Sequence, residues 1–127
     1  MKTIIARRLA PLGSPELQAR YIENGTKDSY LLIEDILNDA YDCIRIARDF
    51  PPDRTGLTER EIAEIQRIEP LLDAIDLDDG RSNHAVLSSP EWVDLSEVTR
   101  SVIAACGFSL PEIVNGLESE EAEQDAT

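Results

Sequence analysis

The sequence has little of what metal-binding and catalytic proteins need. Its 127 residues include two cysteines, one histidine and six glycines, and the glycines stand singly rather than in a run. This set cannot supply a zinc cluster at ligand spacing, and it offers no glycine-rich loop to bind phosphates. The single histidine, His84, has no glycine elbow or reactive cysteine beside it. We therefore expect no catalytic, cofactor-binding or metal-binding residues, and a protein that is not an enzyme.

Long apolar runs are missing as well. No stretch approaches the ~20 apolar residues of a membrane-spanning helix, and residues 1–13 are too short and too polar for a secretory signal. These absences predict a cytoplasmic protein that does not bind membranes. Cys43 and Cys106 fall on the apolar faces of predicted helices, so we expect two buried, reduced thiols rather than a disulfide.

Basic residues are scarce. The chain has 12 lysines and arginines against 26 aspartates and glutamates, which gives a formal net charge of −14. A charge of this size repels nucleic acid and attracts basic proteins. Residues 118–127 contain five acids, no base and no large apolar side chain, so we predict a disordered acidic tail there. The preceding residues 1–117 fit a single domain.

The longest periodic stretch, residues 28–50, predicts an amphipathic helix. Wound at 100° per residue, it divides into an apolar arc of about 160° and an opposite charged arc. Thr26 or Asp28 is expected to cap its start, and Pro51 should end it at Phe50. The apolar arc contains Cys43, Ile36, Ala47, Ala40, Ile33, Ile44, Leu37, Tyr30 and Tyr41.

End signals and periodicity predict further helices on both sides of this one. Residues 2–12 fit either a short helix or a strand, and a helix is favoured. The spacing of Thr58 and Glu61 predicts a capping box, and Pro70 should bend or divide the helix that follows. The other expected elements are a helix over residues 15–24, a surface loop over 76–89, a helix over 90–107 and a short helix over 111–117.

These segments predict an all-α fold, a small single-domain bundle of four main helices with a short C-terminal helix. Brief connections between amphipathic helices favour this architecture, because each helix must bury its apolar face against another. The expected core contains Ile33, Ile36, Leu37, Ile44, Ile62, Ile65, Leu72, Trp92, Leu95, Val98 and Val102.

Residues 101–117 form a helix, a glycine turn and a second short helix, and they resemble the helix-turn-helix of bacterial regulators. A recognition helix must contact phosphates and base edges. Residues 110–117 carry no lysine or arginine and include Glu112. We therefore interpret the segment as an ordinary helical hairpin and expect no direct contact with nucleic acid.

The charged arc of the central helix carries the candidate functional residues. Asp35, Asp39 and Asp42 are spaced four and three residues apart, so they lie along one edge with two apolar side chains among them. The edge is either a solvated face whose apolar side chains are covered by another helix, or a surface for a partner. The candidate partner-binding residues are Leu31, Asp35, Asp39, Asp42 and Ile46, with Asp78 and Asp79 of the loop as a second patch.

A small, acidic, helical, single-domain chain is similar in type to the bacterial immunity proteins that neutralise toxins. The resemblance implies a non-enzymatic inhibitor that masks a basic surface of a toxin or of a nucleic-acid-binding protein. A related version is a phage-encoded inhibitor that imitates nucleic acid with arrayed carboxylates. The alternative is a regulatory or scaffolding subunit of a larger bacterial assembly, and the sequence leaves a homodimer open.

Deletion of residues 118–127 tests the predicted tail. Because the segment has no large apolar side chain to bury, we expect its removal to change the melting temperature by about 2 °C or less. Thermal unfolding followed by circular dichroism measures this change. A large loss of stability would mean that the segment packs on the folded domain.

Overall fold

The computed structural model is built from helices. It describes residues 1–23, 32–77, 80 and 82–125, apart from the side chains of Glu23 and residues 118–125, and no strand occurs within these ranges. The predicted all-α fold is therefore confirmed. The elements are α1 (Lys2–Gly13), α2 (Pro15–Gln18), a π-helical turn (Ala19–Glu23), α3 (Ile33–Asp49), α4 (Pro52–Thr55), α5 (Glu59–Gln66), α6 (Glu69–Asp73), α7 (Asn83–Leu87), α8 (Pro90–Ala105) and α9 (Leu110–Asp125).

The N-terminal helix α1 packs against both α3 and α8. Its Ile5, Leu9 and Leu12 recur four and three residues apart, so they form one stripe, and all three are buried. The sequence favoured a helix here, which is confirmed, but the predicted core omits these side chains. This first helix is thus central to the fold.

The predicted core side chains all belong to the main apolar cluster, with Ile62 and Val98 half-buried at its margin. Cys43 and Cys106 are buried free thiols, as predicted. A second, smaller cluster contains Ala10, Leu17 and Val114. This cluster joins the start of α9 to α1 and α2.

The central helix begins later than predicted. Leu32 is extended and occupies the N-cap position without a side-chain cap, so the expected cap at Thr26 or Asp28 is wrong. The later start puts Glu34 and Asp35 in the first turn, where their negative charges interact favourably with the positive end of the helix dipole. The residues from 24 to 31, with the predicted end of the second helix at Asn24, lie outside the described residues.

The predicted start signals at Ser14, Thr58 and Ser89 are confirmed. Glu61 N donates to Thr58 Oγ1 at 3.1 Å and Thr58 N donates to Glu61 Oε1 at 2.9 Å, which completes the capping box. The predicted division occurs between α5 and α6, and Pro70 lies in the first turn of α6, where its missing donor costs nothing. Ser14 and Ser89 accept hydrogen bonds at the starts of α2 and α8.

Two segments predicted to lack a helix contain a short one. The predicted turn after Phe50 includes α4, a single helical turn that Gly56 ends at a φ of +77°. The predicted surface loop over 76–89 includes α7, capped by Ser82, whose Oγ accepts from Ala85 N at 3.1 Å. Helix α7 has five residues and only Val86 among them is fully buried. A helix this short, with one buried side chain, shows no helical period in the sequence.

A glycine turn joins α8 to α9. Gly107 has a φ of +85°, Phe108 N donates to Ile103 O at 3.2 Å and Gly107 N donates to Ala104 O at 3.0 Å. This pair of bonds is the Schellman arrangement, which the sequence indicated by its glycine. The last helix then runs to Asp125, past the end predicted at Leu117. The predicted disorder of residues 118–127 stays a prediction.

A buried amide side chain connects α1, α2 and α8. Gln18 Nε2 donates to the carbonyl oxygens of Pro11 at 3.0 Å and Leu12 at 2.9 Å, and Gln18 Oε1 accepts from Trp92 Nε1 at 3.1 Å. Beside this network α1 and α8 approach closely at Gly13. A Cβ atom at this position would lie only 3.2 Å from Thr99 Cγ2. The amide and the close approach together fix how the two helices meet.

Lys2 and Glu61 join the start of α1 to the start of α5. Lys2 Nζ lies 2.6 Å from Glu61 Oε2, and the Glu61 side chain is largely covered. Burial alone would raise the pKa of Glu61, but the hydrogen bonds from Lys2 and from the Thr58 backbone outweigh it and lower this pKa below its ordinary value.

Replacing Gln18 with leucine tests the buried amide. The variant leaves two carbonyl groups and an indole N–H without partners, so we expect the free energy of unfolding to fall by ~2–4 kcal/mol. Gln66→Leu is the matched control, because the Gln66 amide nitrogen is buried and has no hydrogen-bond partner among the described residues. We expect that control to keep or raise stability. Urea unfolding measures both, and an equal loss in the two variants would contradict the role of Gln18.

The lowered pKa of Glu61 predicts a pH-dependent contribution to stability. A carboxyl whose pKa is lower in the folded state stabilises above its unfolded pKa, near 4.5, and loses this contribution as the pH falls through its folded value. We expect Glu61→Gln to lower the free energy of unfolding by ~1 kcal/mol at pH 7. The difference from the parent should shrink at acidic pH, where the parent carboxyl is protonated. A difference that grows on acidification would contradict the assignment.

Candidate functional site

The central helix α3 carries the described part of the predicted partner surface. Its inner side is fixed in the core by Ile36, Cys43 and Ala47 among others, so its outer side is held on a rigid element. Asp35 and Asp39 are exposed and Asp42 is half-buried. These three aspartates lie along one side of the helix as predicted, and we name them the acidic edge.

Basic residues lie close to the acidic edge. Asp42 Oδ1 is 3.2 Å from Arg45 NH2, one turn further along α3. Burial raises the pKa of Cys43 to about 12, the charge of Arg8 lowers it, and the charges of Asp39 and Asp42 raise it. The charge of Arg8 on α1 therefore acts on the same thiol as the charges of the two aspartates. Arg45 offsets part of the negative charge of this edge.

The apolar residues of the predicted surface have different positions. Ile46 is half-buried and packs against the main core cluster, so part of its side chain stabilises the fold. Leu31, Asp78 and Asp79 lie outside the described residues. A partner contact by any of these four residues stays a prediction.

The other side of α3 borders a groove that the sequence did not indicate. Helices α3 and α6 and the segment after α6 enclose about 390 Å³, and we call this space the α3–α6 groove. Such a volume falls in the range of ~300–1,000 Å³ that is typical of ligand sites. Its lining residues are Glu34, Leu37, Asn38, Tyr41, Leu72, Ile75, Asp76 and Leu77.

Tyr41 is the aromatic side chain of the groove. Its hydroxyl donates to Asp73 Oδ1 at 2.6 Å, and the residue is 37% exposed. Burial, the hydrogen bond to Asp73 and the charges of Asp73 and Glu69 raise the pKa of Tyr41 to about 12. The phenol is therefore a neutral donor near neutral pH, and its ring is held in place by the bond to α6.

The sequence placed Tyr41 at the end of the apolar arc of α3 but did not identify it as a surface residue. Its position between an apolar and a charged arc was the available signal, because tyrosine combines an apolar ring with a polar tip. The sequence pattern cannot show that α6 would place Asp73 against that tip. The groove depends on this contact between two helices that are not consecutive in the chain. Helix α3 ends at Asp49 and α6 begins at Glu69, with 19 residues between them.

A small apolar void and the two thiols offer no chemistry. An apolar void beside Cys106 and Phe108 holds about 10 Å³, too little for a ligand. Burial raises the pKa of Cys106, so neither cysteine is poised as a nucleophile. Among the described residues, no group of three or more histidine, cysteine, aspartate or glutamate side chains could hold a metal ion. No helix in the described ranges is long and apolar enough to cross a membrane.

Comparison of the chain with protein-family models, with curated proteins and with solved structures gave no match. The features of the molecule that bear on function are therefore the acidic edge and the α3–α6 groove.

Proposed function

We propose that this protein is a non-enzymatic inhibitor that binds and masks a basic surface of a partner protein. The partner is a bacterial toxin or a nucleic-acid-binding protein, and the inhibitor acts in the cytoplasm. The observation that carries the proposal is the position of the acidic edge, on the outer side of a helix whose inner side lies in the core.

Net charge supplies the long-range part of the proposed interaction. A formal charge of −14 attracts a basic partner and steers its approach. At physiological salt this attraction is screened over ~8 Å, so net charge alone does not select one partner or one orientation. Selection requires carboxylates in fixed positions at short range.

The helix α3 supplies that short-range part. Because the core immobilises its backbone, the aspartates of the acidic edge lose little freedom when a partner binds. Arginines and lysines on a toxin surface would pair with them, and the partner's own substrate could no longer reach those bases. The same array of carboxylates would also serve a phage inhibitor that imitates the phosphates of nucleic acid.

Charge reversal of the acidic edge tests the proposal. The protein is first used to capture its partner from the native host, and the association rate of that purified partner is then measured. We expect Asp35→Lys, Asp39→Lys and Asp42→Lys together to slow association by about tenfold or more at low salt. The rate for the parent protein should fall steeply as salt rises.

The control triple variant makes the same change in net charge on a different helix, α8. Glu91, Asp94 and Glu97 are exposed on α8, and replacing all three with lysine reverses the same number of charges. Thermal unfolding confirms that each triple variant is folded. If the captured partner binds the acidic-edge variant as fast as this control, the acidic edge is not its binding site.

The apolar residues of the surface have a separate expected effect. We expect Leu31→Ala and Ile46→Ala to increase the dissociation rate, because apolar contacts form after the charged encounter. A loss of ~2 kcal/mol or more in unfolding free energy on Ile46→Ala would instead assign that side chain mainly to the core.

A further inference from the structure

We propose that the α3–α6 groove is the docking site for a basic, partly apolar segment of the partner, with an arginine or lysine side chain placed against the ring of Tyr41. This inference deepens the proposed function and rests on it, because it takes the partner to be a basic protein. It adds a second contact, on the side of α3 away from the acidic edge.

The charges around the groove favour a cationic occupant. Glu34 and Asp76 line it, and Asp73 and Glu69 lie close enough to Tyr41 to raise its pKa. Arg48 lies 3.8 Å from Glu69 but closer to Asp49, at 3.2 Å. Among the described residues around the groove, carboxylates thus outnumber bases, and the apolar walls beside them reduce the screening of a bound cation by water.

Tyr41 differs from the other partly exposed aromatic residues of the described chain. Lys2 lies 5.7 Å from the ring centre of Phe108, and Arg20 and Arg54 lie 5.4 Å from those of Tyr21 and Phe50. Within the described ranges no lysine or arginine is placed over Tyr41 in this way. We assign this position over the ring, which none of the described bases occupies, to a cation of the partner.

The apolar lining explains why the occupant must be more than a small cation. Leu37 and Leu72 are buried under the groove, Ile75 is half-buried and Leu77 is 36% exposed. These side chains match the aliphatic stem of an arginine or lysine and an apolar neighbour in the same segment. A segment that combines both chemistries would fill the groove and place its base beside Glu34.

The hydrogen bond between Tyr41 and Asp73 prepares the groove for binding. It fixes the ring before the partner arrives, so less side-chain freedom is lost on association. A guanidinium placed over a fixed tyrosine ring and beside carboxylates gains both a cation–π contact and charge-assisted hydrogen bonds. Arginine is therefore favoured over lysine at this position.

A synthetic peptide provides the probe. Eight residues of alternating arginine and leucine are labelled with a fluorophore, and binding to the full chain is followed by fluorescence anisotropy. We expect Tyr41→Ala to weaken binding by about tenfold, and Tyr41→Phe, which keeps the ring, to weaken it less. A peptide with glutamine in place of arginine should bind much more weakly.

The second measurement separates the groove from net charge. Glu34→Gln with Asp76→Asn removes two charges from the groove, and Glu91→Gln with Asp94→Asn removes two charges from the exposed side of α8. We expect the groove pair to weaken peptide binding at least about fivefold more than the control pair. Equal weakening by the two pairs would overturn the inference.

Nuclear magnetic resonance locates the bound peptide. We expect the largest amide shifts at the α3 residues that line the groove and in residues 72–77; those α3 residues are Glu34, Leu37, Asn38 and Tyr41. Shifts centred on Asp35, Asp39 and Asp42 without the groove, or no binding at all, would overturn the inference but leave the proposed inhibitor standing. Concentration-dependent dimers that Tyr41→Ala dissociates would also overturn it, because a second copy would then be the occupant. If the groove binds the peptide but the captured partner is insensitive to charge, only the proposed function fails.

Discussion

The side-chain amide of Gln18 determines how the helices around it meet. The last carbonyl groups of a helix have no partner within that helix, and in α1 two of them accept hydrogen bonds from this amide. The same amide accepts the indole N–H of Trp92, so the end of α1 and the first turn of α8 must be adjacent. This buried amide forms hydrogen bonds with two carbonyl groups and one indole N–H. Another arrangement of these helices would leave some of these groups without a partner. The packing of α3 on α1 then decides which side of α3 faces outward.

The acidic surface is a consequence of that arrangement. With its inner side in the core, α3 leaves two borders exposed, one with the acidic edge and one with Tyr41 and the groove. Bases accompany the carboxylates where the fold itself needs them, as Lys2 does for the largely covered Glu61. Arg45, Arg48 and Arg67 pair with other carboxylates at the surface. Because the chain has 26 acids against 12 bases, mutual repulsion of the remaining carboxylates lowers stability by a small amount that the apolar core offsets.

The sequence predicted the helices that have both a period and an end signal, and the capping box at Thr58 is an example. The sequence did not predict the features that depend on contacts between helices. The stripe of Ile5, Leu9 and Leu12 is short and flanked by arginines, so its central position follows only from the helices packed on it. Helix α3 begins at Ile33 rather than after Thr26 or Asp28, so the local capping signals of those two residues do not determine where this helix starts. Of the candidate site, the row of aspartates followed from helical spacing, whereas the groove required the position of α6.

The order of α1 and α8 in the chain has a consequence for synthesis. Ribosomes produce Gly13 some 77 residues before Pro90, which at ~5–20 residues per second is an interval on the order of 4 to 15 s. During that interval Ile5, Leu9 and Leu12 cannot reach α8, and contacts so distant in sequence form late in folding. The nascent segment can pack on α3 during this time, but it must remain soluble while the part of its apolar surface that α8 covers is still exposed. Chaperones that bind short apolar stretches would find their site in the first 13 residues, and the stripe becomes inaccessible once α8 has left the ribosome.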